Sequence, residues 1–254
     1  MPQNFEANSD IYAHTKAGRP VSEWEPLDEH LRRVAEGFGD SVGLGAAHFA
    51  RAFSAEAWGR AAGLWHDLGK YAPSFQRYLS QTAELADDDP HRAALRGTVD
   101  HSTAGALHAA RTLGKLGRVL AYPILGHHAG LPNTQTEPGE RSSLEVRLKH
   151  PPPEATDAIA AAPDWMTDAA SLELPSLKWD KSDSRRAAFQ LAFFVRMVFS
   201  SLVDADYLAT EAFMDPQRAS GRAGAEPSLE ALQSRLETHL RELAKQVSSK
   251  GLAD

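Results

Sequence analysis

Apolar positions along this chain recur at helical spacing, and the alternation of period two that marks a half-buried strand does not recur. Leu27, Leu31, Val34 and Phe38 fall at i, i+4, i+7 and i+11, which predicts a helix from Leu27. A second helix is predicted from about Ala46 to Leu68, bent near Gly59 and Gly63, with Asp67-Leu68-Gly69 as its C-terminal punctuation. SFQRYLSQTAEL, 74 to 85, predicts a third, and helical spacing returns at about 101 to 116 and 118 to 128. The stretch 184 to 213 is apolar on almost every face, which predicts a helix surrounded by protein at the centre of a bundle. Leu229, Leu232, Leu236, Leu240 and Leu243 stripe one face of a last amphipathic helix, 227 to 247.

Polar and proline-rich stretches separate these elements. Residues 1 to 26 read as an irregular arm, with Pro20 and Pro26, and Asp87-Asp88-Asp89 before Pro90 reads as a solvated loop. Between 131 and 183 prolines at 132, 138, 151, 152, 153, 163 and 175 leave room only for short helices such as 141 to 149. That stretch is expected to be an insertion or flap outside the core. The fold expected is all-α, a single domain over 1 to 254, with no internal repeat.

At 254 residues, 42% hydrophobic and 24% charged, the chain can bury a core that excludes water around a site. No run of eighteen apolar residues occurs, and MPQNFEANSDIYAH lacks the basic and apolar regions of a signal peptide, so a cytoplasmic location without a membrane partner is expected. Zero cysteines exclude disulfides and thiolate metal sites. Any metal must be held by His, Asp and Glu, and eleven histidines supply donors amply. The net charge of −7 gives no overall attraction for a polyanion, so nucleic acid would have to be bound locally.

The ionisable residues cluster at predicted helix ends. LWHDLGKY, 64 to 71, puts His66 and Asp67 together after an apolar run, where the pair can clamp an ion if the helix end faces it. His127-His128 in LGHHAGLP is a second doublet, and two imidazoles are costly to bury without partners. His101 opens a helix in VDHSTAG, and His30 lies on an amphipathic helix in LDEHLRRVAE. SLVDADYLATE carries Asp204 and Asp206 into the most apolar helix, where an unpaired carboxylate pays a large desolvation cost. Side chains two apart on a helix point about 200° away from each other, so only one of the two should face a site. Each of these has a structural explanation taken singly; as a set they point to a metal centre.

The ordered set His30, His66-Asp67, His101, His127-His128 and Asp206 resembles the HD-domain metal-dependent phosphohydrolases. The wording HDLGKYAPSFQRYL, DHSTAGA, GHHAGLP and LVDADYLATE, with YAHTKAGRP near the N-terminus, is similar to one branch: the HD nuclease domain of the CRISPR-associated helicase-nuclease of type I interference systems. The likeness spans about Tyr12 to Phe213 and implies an HD-domain helical bundle. It implies one ion on His30, His66, Asp67 and Asp206 and a second on Asp67, His101, His127 and His128, with Asp67 bridging. His14 is the alternative to His30, or a substrate-binding residue, and Asp204 the alternative to Asp206. A sulfur-free set of imidazoles and carboxylates suits Mn, Fe, Co or Ni, with Zn and Mg as further candidates.

Two ions about 3.5–4 Å apart can clamp a phosphodiester and remove the need for a protein nucleophile. Lys70 is placed to meet a nonbridging phosphate oxygen or to remain a surface lysine, and Ser102 to bond the phosphate or cap its helix. Two divalent cations would add about +4 to the site and offset the acidic surface. Trp24, Tyr12 and Trp65 are candidates for stacking on unpaired bases as well as for core packing. The resemblance implies a metal-dependent nuclease cutting single-stranded DNA, with a helicase domain or subunit and an RNA-guided surveillance complex of the Cascade type as partners. No GxxxxGK[ST] phosphate loop is present, so the domain is expected either to be encoded alone or to be the N-terminal piece of a longer helicase-nuclease, the last leucine stripe, ending in SSKGLAD, closing the domain or leading into a linker. The alternatives are an HD phosphohydrolase acting on nucleotides or cyclic nucleotides, and a docking module without catalysis.

Overall fold

The computed structural model describes residues 11–16, 18–37, 44–85, 99–135, 143–167, 174–175, 177, 180, 182–222 and 228–250. The acidic run at 87 to 89 and Phe38 lie outside the described residues. The chain divides into two compact units, Met1–Met214 and Asp215–Asp254. In the first, a two-stranded antiparallel hairpin, β1 (Tyr12–His14) and β2 (Glu25–Pro26), precedes helices α1 (Leu27–Glu36), α2 (Ala46–Arg51), α3 (Glu56–Trp65) and α4 (Pro73–Ala83). Then follow α5 (Ser102–Thr112), α6 (Gly114–Gly126), α7 (Leu144–Lys149), α8 (Pro153–Ala161), α9 (Asp164–Thr167) and the long α10 (Ser184–Met214). The second unit holds α11 (Pro216–Arg222) and α12 (Leu229–Lys250), whose leucine stripe is exposed, from Leu243 at 41% to Leu229 at 80%. The fold is all-α with a small sheet at its edge.

The helical periodicity becomes burial where the bundle packs. Leu27, Leu31 and Val34 of α1 are completely buried, and Gly37, with φ of 80°, ends the helix. The helix expected over 46 to 68 is two helices, and the break falls at 52 to 55 rather than at the glycines. Ser54 takes a left-handed φ of 59° there. Gly59 and Gly63 lie inside α3 because neighbouring backbone touches them: a Cβ on Gly59 would sit 2.3 Å from the Ala46 carbonyl oxygen, and one on Gly63 2.5 Å from the Ala35 Cα. These glycines bring α1 and α2 close to α3 rather than bending it.

Three other expectations change. The arm is irregular only in part, since Tyr12–His14 pairs with Glu25–Pro26; three residues are too few to show an alternation. The described part of the 131 to 183 stretch is core rather than flap: Leu144, Ala155, Ala158 and Met166 are buried in the main apolar cluster, and the Trp65 indole N–H donates to the Met166 carbonyl at 2.9 Å. Its prolines sit at helix N-termini or between helices, where a missing N–H costs nothing. Helix α10 is not central. It buries one face (Val195, Val198, Leu202, Ala205, Ala209) and exposes Phe189 by 69%, Phe193 by 54% and Tyr207 by 72%. By length and composition alone it could cross a membrane, but its buried face packs on α1, α2, α3 and α6.

The close approach at Gly63 sets the α1–α3 spacing and so the distance between the residues those helices carry. Gly63→Ala should cost roughly 1–3 kcal/mol, because the added methyl meets backbone that cannot rotate away. Gly221→Ala, which meets nothing within 4 Å in α11, should leave the transition unchanged or raise it slightly. Thermal melts of the two variants beside the parent protein measure the difference.

Candidate metal centre

Five pieces of chain converge on one buried point. Helix α1 contributes His30 from its middle, α3 delivers His66 and Asp67 at its C-terminal end, and His101 stands just before α5. His127 and His128 follow the end of α6, and Asp206 comes from the buried face of α10. Asp67 leaves the helix at φ −109°, ψ 19° and enters a tight turn over Leu68–Tyr71. That turn presses on the neighbouring loop: the Gly69 N–H donates to the His101 carbonyl at 3.0 Å, and a Cβ on Gly69 would lie 2.2 Å from the same oxygen. Gly69 therefore does more than stop a helix; it docks the chain carrying His101 beside Asp67.

The rings are aimed by their outer nitrogens. His66 Nδ1 is 2.8 Å from the Gly63 carbonyl and His127 Nδ1 is 2.7 Å from the Ile124 carbonyl, so in both the Nδ1–H donates outward and Nε2 faces the centre. Asp67 divides its carboxylate between two pairs of imidazoles. Oδ2 lies 3.6 Å from His30 Nε2 and 3.3 Å from His66 Nε2; Oδ1 lies 3.6 Å from His101 Nε2 and 3.4 Å from His127 Nε2. Asp206 Oδ1 is 3.4 Å from His30 Nε2 and 3.7 Å from His66 Nε2. Asp204, two residues earlier, is exposed. His128 is exposed at the rim, its ring centroid 3.9 Å from that of His127 and 4.9 Å from that of His101.

The residues fit a divalent cation. His30 Nε2, His66 Nε2, His101 Nε2, His127 Nε2 and Asp67 Oδ1 are buried, converge, and make no hydrogen bond to one another. Buried polar atoms need a partner, and donors grouped at these distances share one most simply as metal ligands. Donor atoms within 4.8 Å of one another form the groups Asp67–His101–His127–His128, His30–His66–Asp67 and His66–His127–Asp206. The second set expected from the sequence is thus one group, while the first is spread over two overlapping ones. When bound there, a divalent cation supplies Lewis acidity and a more acidic water.

Charge is shared unevenly across the cluster. Burial alone would lower His30, but Asp206, Asp67 and Glu25 beside it hold it up at about 10. Burial likewise opposes charge on His66, and the adjacent Asp67 carboxylate raises it to about 9. Burial works against the ionised forms of Asp67 and Asp206 as well, yet Lys70 and the imidazoles hold Asp67, and His30 and His66 hold Asp206, well below the usual carboxylate range. On the other side burial lowers His101 to about 3, and His128, exposed on its outer edge, is lowered to about 4 by the partial burial of the edge it packs against His101 and His127 and by the His127 charge. The pair nearest Asp206 thus carries protons at neutral pH while the pair at the rim does not.

Two predicted substrate contacts are already engaged. Lys70 is buried, with Nζ 2.6 Å from Asp67 Oδ2 and donating to the Ala13 carbonyl at 3.2 Å. Ser102 Oγ accepts from Arg147 at 2.8 Å, and the start of α5 is capped instead by Asp100, which accepts from the Thr103 N–H at 2.9 Å. Arg147, from the stretch expected to be a flap, also bonds Asp100 at 2.6 Å and Thr103, clamping the loop on both sides of His101. His14, from β1, faces a cavity of about 180 Å³ lined by Asp67, Lys70, His128, Asp206, Tyr207 and Thr210. Its Nδ1 is 2.7 Å from Glu25 Oε2. The sequence reading missed Arg147 and Glu25, since Glu25 sits in a segment read as an irregular arm and Arg147 in a short helix of a stretch read as lying outside the core.

Metal binding here must displace protons from His30 and His66, because both nitrogens of a protonated ring are occupied. Loading the site near pH 7 should release about two protons, and affinity should climb with pH until the two histidines lose their protons at about 9 to 10. Titration calorimetry with Mn²⁺ or Ni²⁺ in buffers of different ionisation enthalpy reads that number; no proton release would contradict the assignment. In the metal-free protein the same raised values stabilise the fold fully below about 6.5, and that stabilisation is lost as pH rises through 9 to 10.

The chain matches the family described as Cas3, HD domain, over residues 14–198, well over half of its length, and no curated protein matches it. His14 through His128 fall inside the match; Asp206 lies beyond it, so its place in the site rests on the geometry. The chain therefore belongs to the Cas3 HD domain family, the metal-dependent nuclease domains of CRISPR helicase-nucleases.

Proposed function

We propose that this chain hydrolyses phosphodiester bonds of single-stranded DNA during type I CRISPR interference, using two divalent transition-metal ions. The observation that carries the reading is the division of Asp67: one carboxylate oxygen faces His30 and His66, the other His101 and His127. That arrangement suits two ions sharing one bridging carboxylate. His30, His66, Asp67 and Asp206 would hold the first, and Asp67, His101, His127 and His128 the second. Mn, Fe, Co or Ni match this donor set best.

The chain's own residues supply positioning and charge. Lys70 keeps Asp67 ionised and fixed, and at the cavity floor its ammonium is within reach of a phosphate oxygen as a compact charge. His14 and His128 line the mouth as neutral imidazoles, able to accept a proton or a hydrogen bond from water near the phosphate. An acidic protein needs its substrate delivered, which supports a helicase domain or subunit and an RNA-guided surveillance complex as partners in the cytoplasm.

Circular single-stranded DNA, offered with Mn²⁺ or Ni²⁺, tests the reading because only an endonuclease can open it. Parent protein should linearise the circle with metal and not with chelator. Asp67→Ala should lower the rate roughly a thousand-fold, as expected when several kcal/mol of transition-state stabilisation are lost. Asp204→Ala, an exposed change, should stay within about twofold. Inertness toward DNA together with metal-dependent hydrolysis of cyclic dinucleotides would replace this substrate with the nucleotide one.

A further inference from the structure

The hairpin that precedes α1 brings a buried carboxylate to the back of the metal centre, and that residue belongs to none of the groups expected from the sequence. Glu25 is 1% exposed. Its Oε1 accepts from Arg33 at 3.0 Å. Its Oε2 meets two imidazoles at once, His14 Nδ1 at 2.7 Å in a hydrogen bond and His30 Nδ1 at 3.3 Å in a charge contact without hydrogen-bond alignment. The two rings stand edge to face with centroids 4.8 Å apart.

We propose that Glu25 is a positioning residue that sets the orientation of two rings of the site together: it turns His30 so that Nε2 meets Asp67 and Asp206, and it fixes His14 as the Nδ1–H tautomer with Nε2 in the cavity. This assignment rests on reading His30 as a metal ligand. One carboxylate oxygen accepts from the His14 Nδ1–H and attracts the Nδ1 edge of His30 by charge, while the guanidinium on its other oxygen keeps it charged, so Arg33 is part of the device. The reward for a ligand histidine is a ring that need not search for its orientation and a more basic donor nitrogen. For His14 the effect is on identity as well as aim. Free neutral imidazole chooses between two tautomers, and a carboxylate at Nδ1 selects the one that leaves a lone pair at Nε2.

The surroundings hold the hairpin in the required place. The Gln76 side chain bonds the Tyr12 N–H at 3.1 Å and the Tyr12 carbonyl at 3.0 Å, and also reaches the Lys70 carbonyl at 2.7 Å. The Ala13 carbonyl accepts from Lys70, whose ammonium also pairs with Asp67. Phe213 stacks on the other side of His14, 6.5 Å between centroids with planes 28° apart. Strand β1 is thus tied to the turn that carries Asp67, and Glu25 ties it to α1. The cluster His14–Glu25–His30 also has the spacing of a metal site in its own right. The Arg33 cation on Glu25 argues against that use, because it already neutralises the one carboxylate such an ion would need.

Two readouts on the full chain decide the matter. In parent protein at pH 7, long-range ¹H–¹⁵N spectra of the imidazoles should show His14 with a proton on Nδ1 and a bare Nε2; in Glu25→Ala the ring should revert to the Nε2–H form. Titration with Mn²⁺ should show the same number of ions bound in both proteins, with affinity weakened about ten- to a hundred-fold in Glu25→Ala. Circular dichroism of the metal-free proteins checks that the fold is kept. If Glu25→Ala does not fold, Glu25→Gln serves, since an amide must turn its NH₂ either to Arg33 or to the two imidazole N–H groups and should weaken binding in the same direction. A Nε2–H tautomer of His14 in parent protein, unchanged Mn²⁺ affinity in a folded variant, or one ion fewer bound would each overturn the proposal, the last by making Glu25 a ligand. Failure of the parent protein to bind Mn²⁺ at all would instead strike the reading of His30 as ligand and, with it, the part of the proposal that concerns His30; the His14 tautomer decides the rest.

Discussion

Everything at the centre of this protein depends on one buried carboxylate. Asp67 is 1% exposed, and by burial alone it would be driven neutral. It stays ionised because Lys70 and four imidazoles surround it, at distances from 2.6 to 3.6 Å. His66 and Lys70 flank Asp67 in the sequence, but His30, His101 and His127 each arrive on a different piece of chain, so the charge of one side chain requires the bundle to close in one way. Replacing one partner would leave the others in an interior where an uncompensated charge costs several kcal/mol. The cluster is therefore weak as a source of stability and strong as a constraint on geometry.

The packing serves that constraint. Gly63 allows α3 to lie against α1 and brings His66 to His30; Gly69 allows the turn after Asp67 to lie against the carbonyl of His101. Gly105 lies so close to the Trp65 carbonyl that no side chain could stand there, which sets α5 against the end of α3. Ring orientation is then fixed by outward bonds: backbone carbonyls hold His66 and His127, and Glu25 faces His30 and His14. A rigid frame of this kind suits a metal site, because errors in ligand placement are felt directly in affinity.

Much of this was legible in the sequence, and the failures share a cause. The helical spacing of Leu27, Leu31 and Val34 found α1, and doublets of ionisable residues after apolar runs marked the ends of α3 and α6. The angular argument separating Asp204 from Asp206 needs only helix geometry, and the structure exposes the first and buries the second. What the sequence hid are contacts between distant segments. Gly59 and Gly63 look like breaks until the backbone that touches them is known. The 143 to 167 stretch looks like an insertion or flap until Met166 is seen to accept from Trp65. Glu25 and Arg147 carry no local signal, since their importance lies in partners they meet only after folding: His14 and His30 for Glu25, and the residues on both sides of His101 for Arg147. Helix α10 erred the other way: its all-round apolar composition suggested a central place, but Phe189 and Phe193 are exposed.

The proposed bridging of two ions by Asp67 can be seen directly by diffraction. Crystals of the metal-free protein soaked in Mn²⁺ and measured at a wavelength where manganese scatters anomalously would locate each ion directly. Two peaks are expected, one beside Oδ2 of Asp67 among His30, His66 and Asp206, and one beside Oδ1 among His101, His127 and His128. A single peak at full occupancy, or two peaks of which neither touches Asp67, would contradict it.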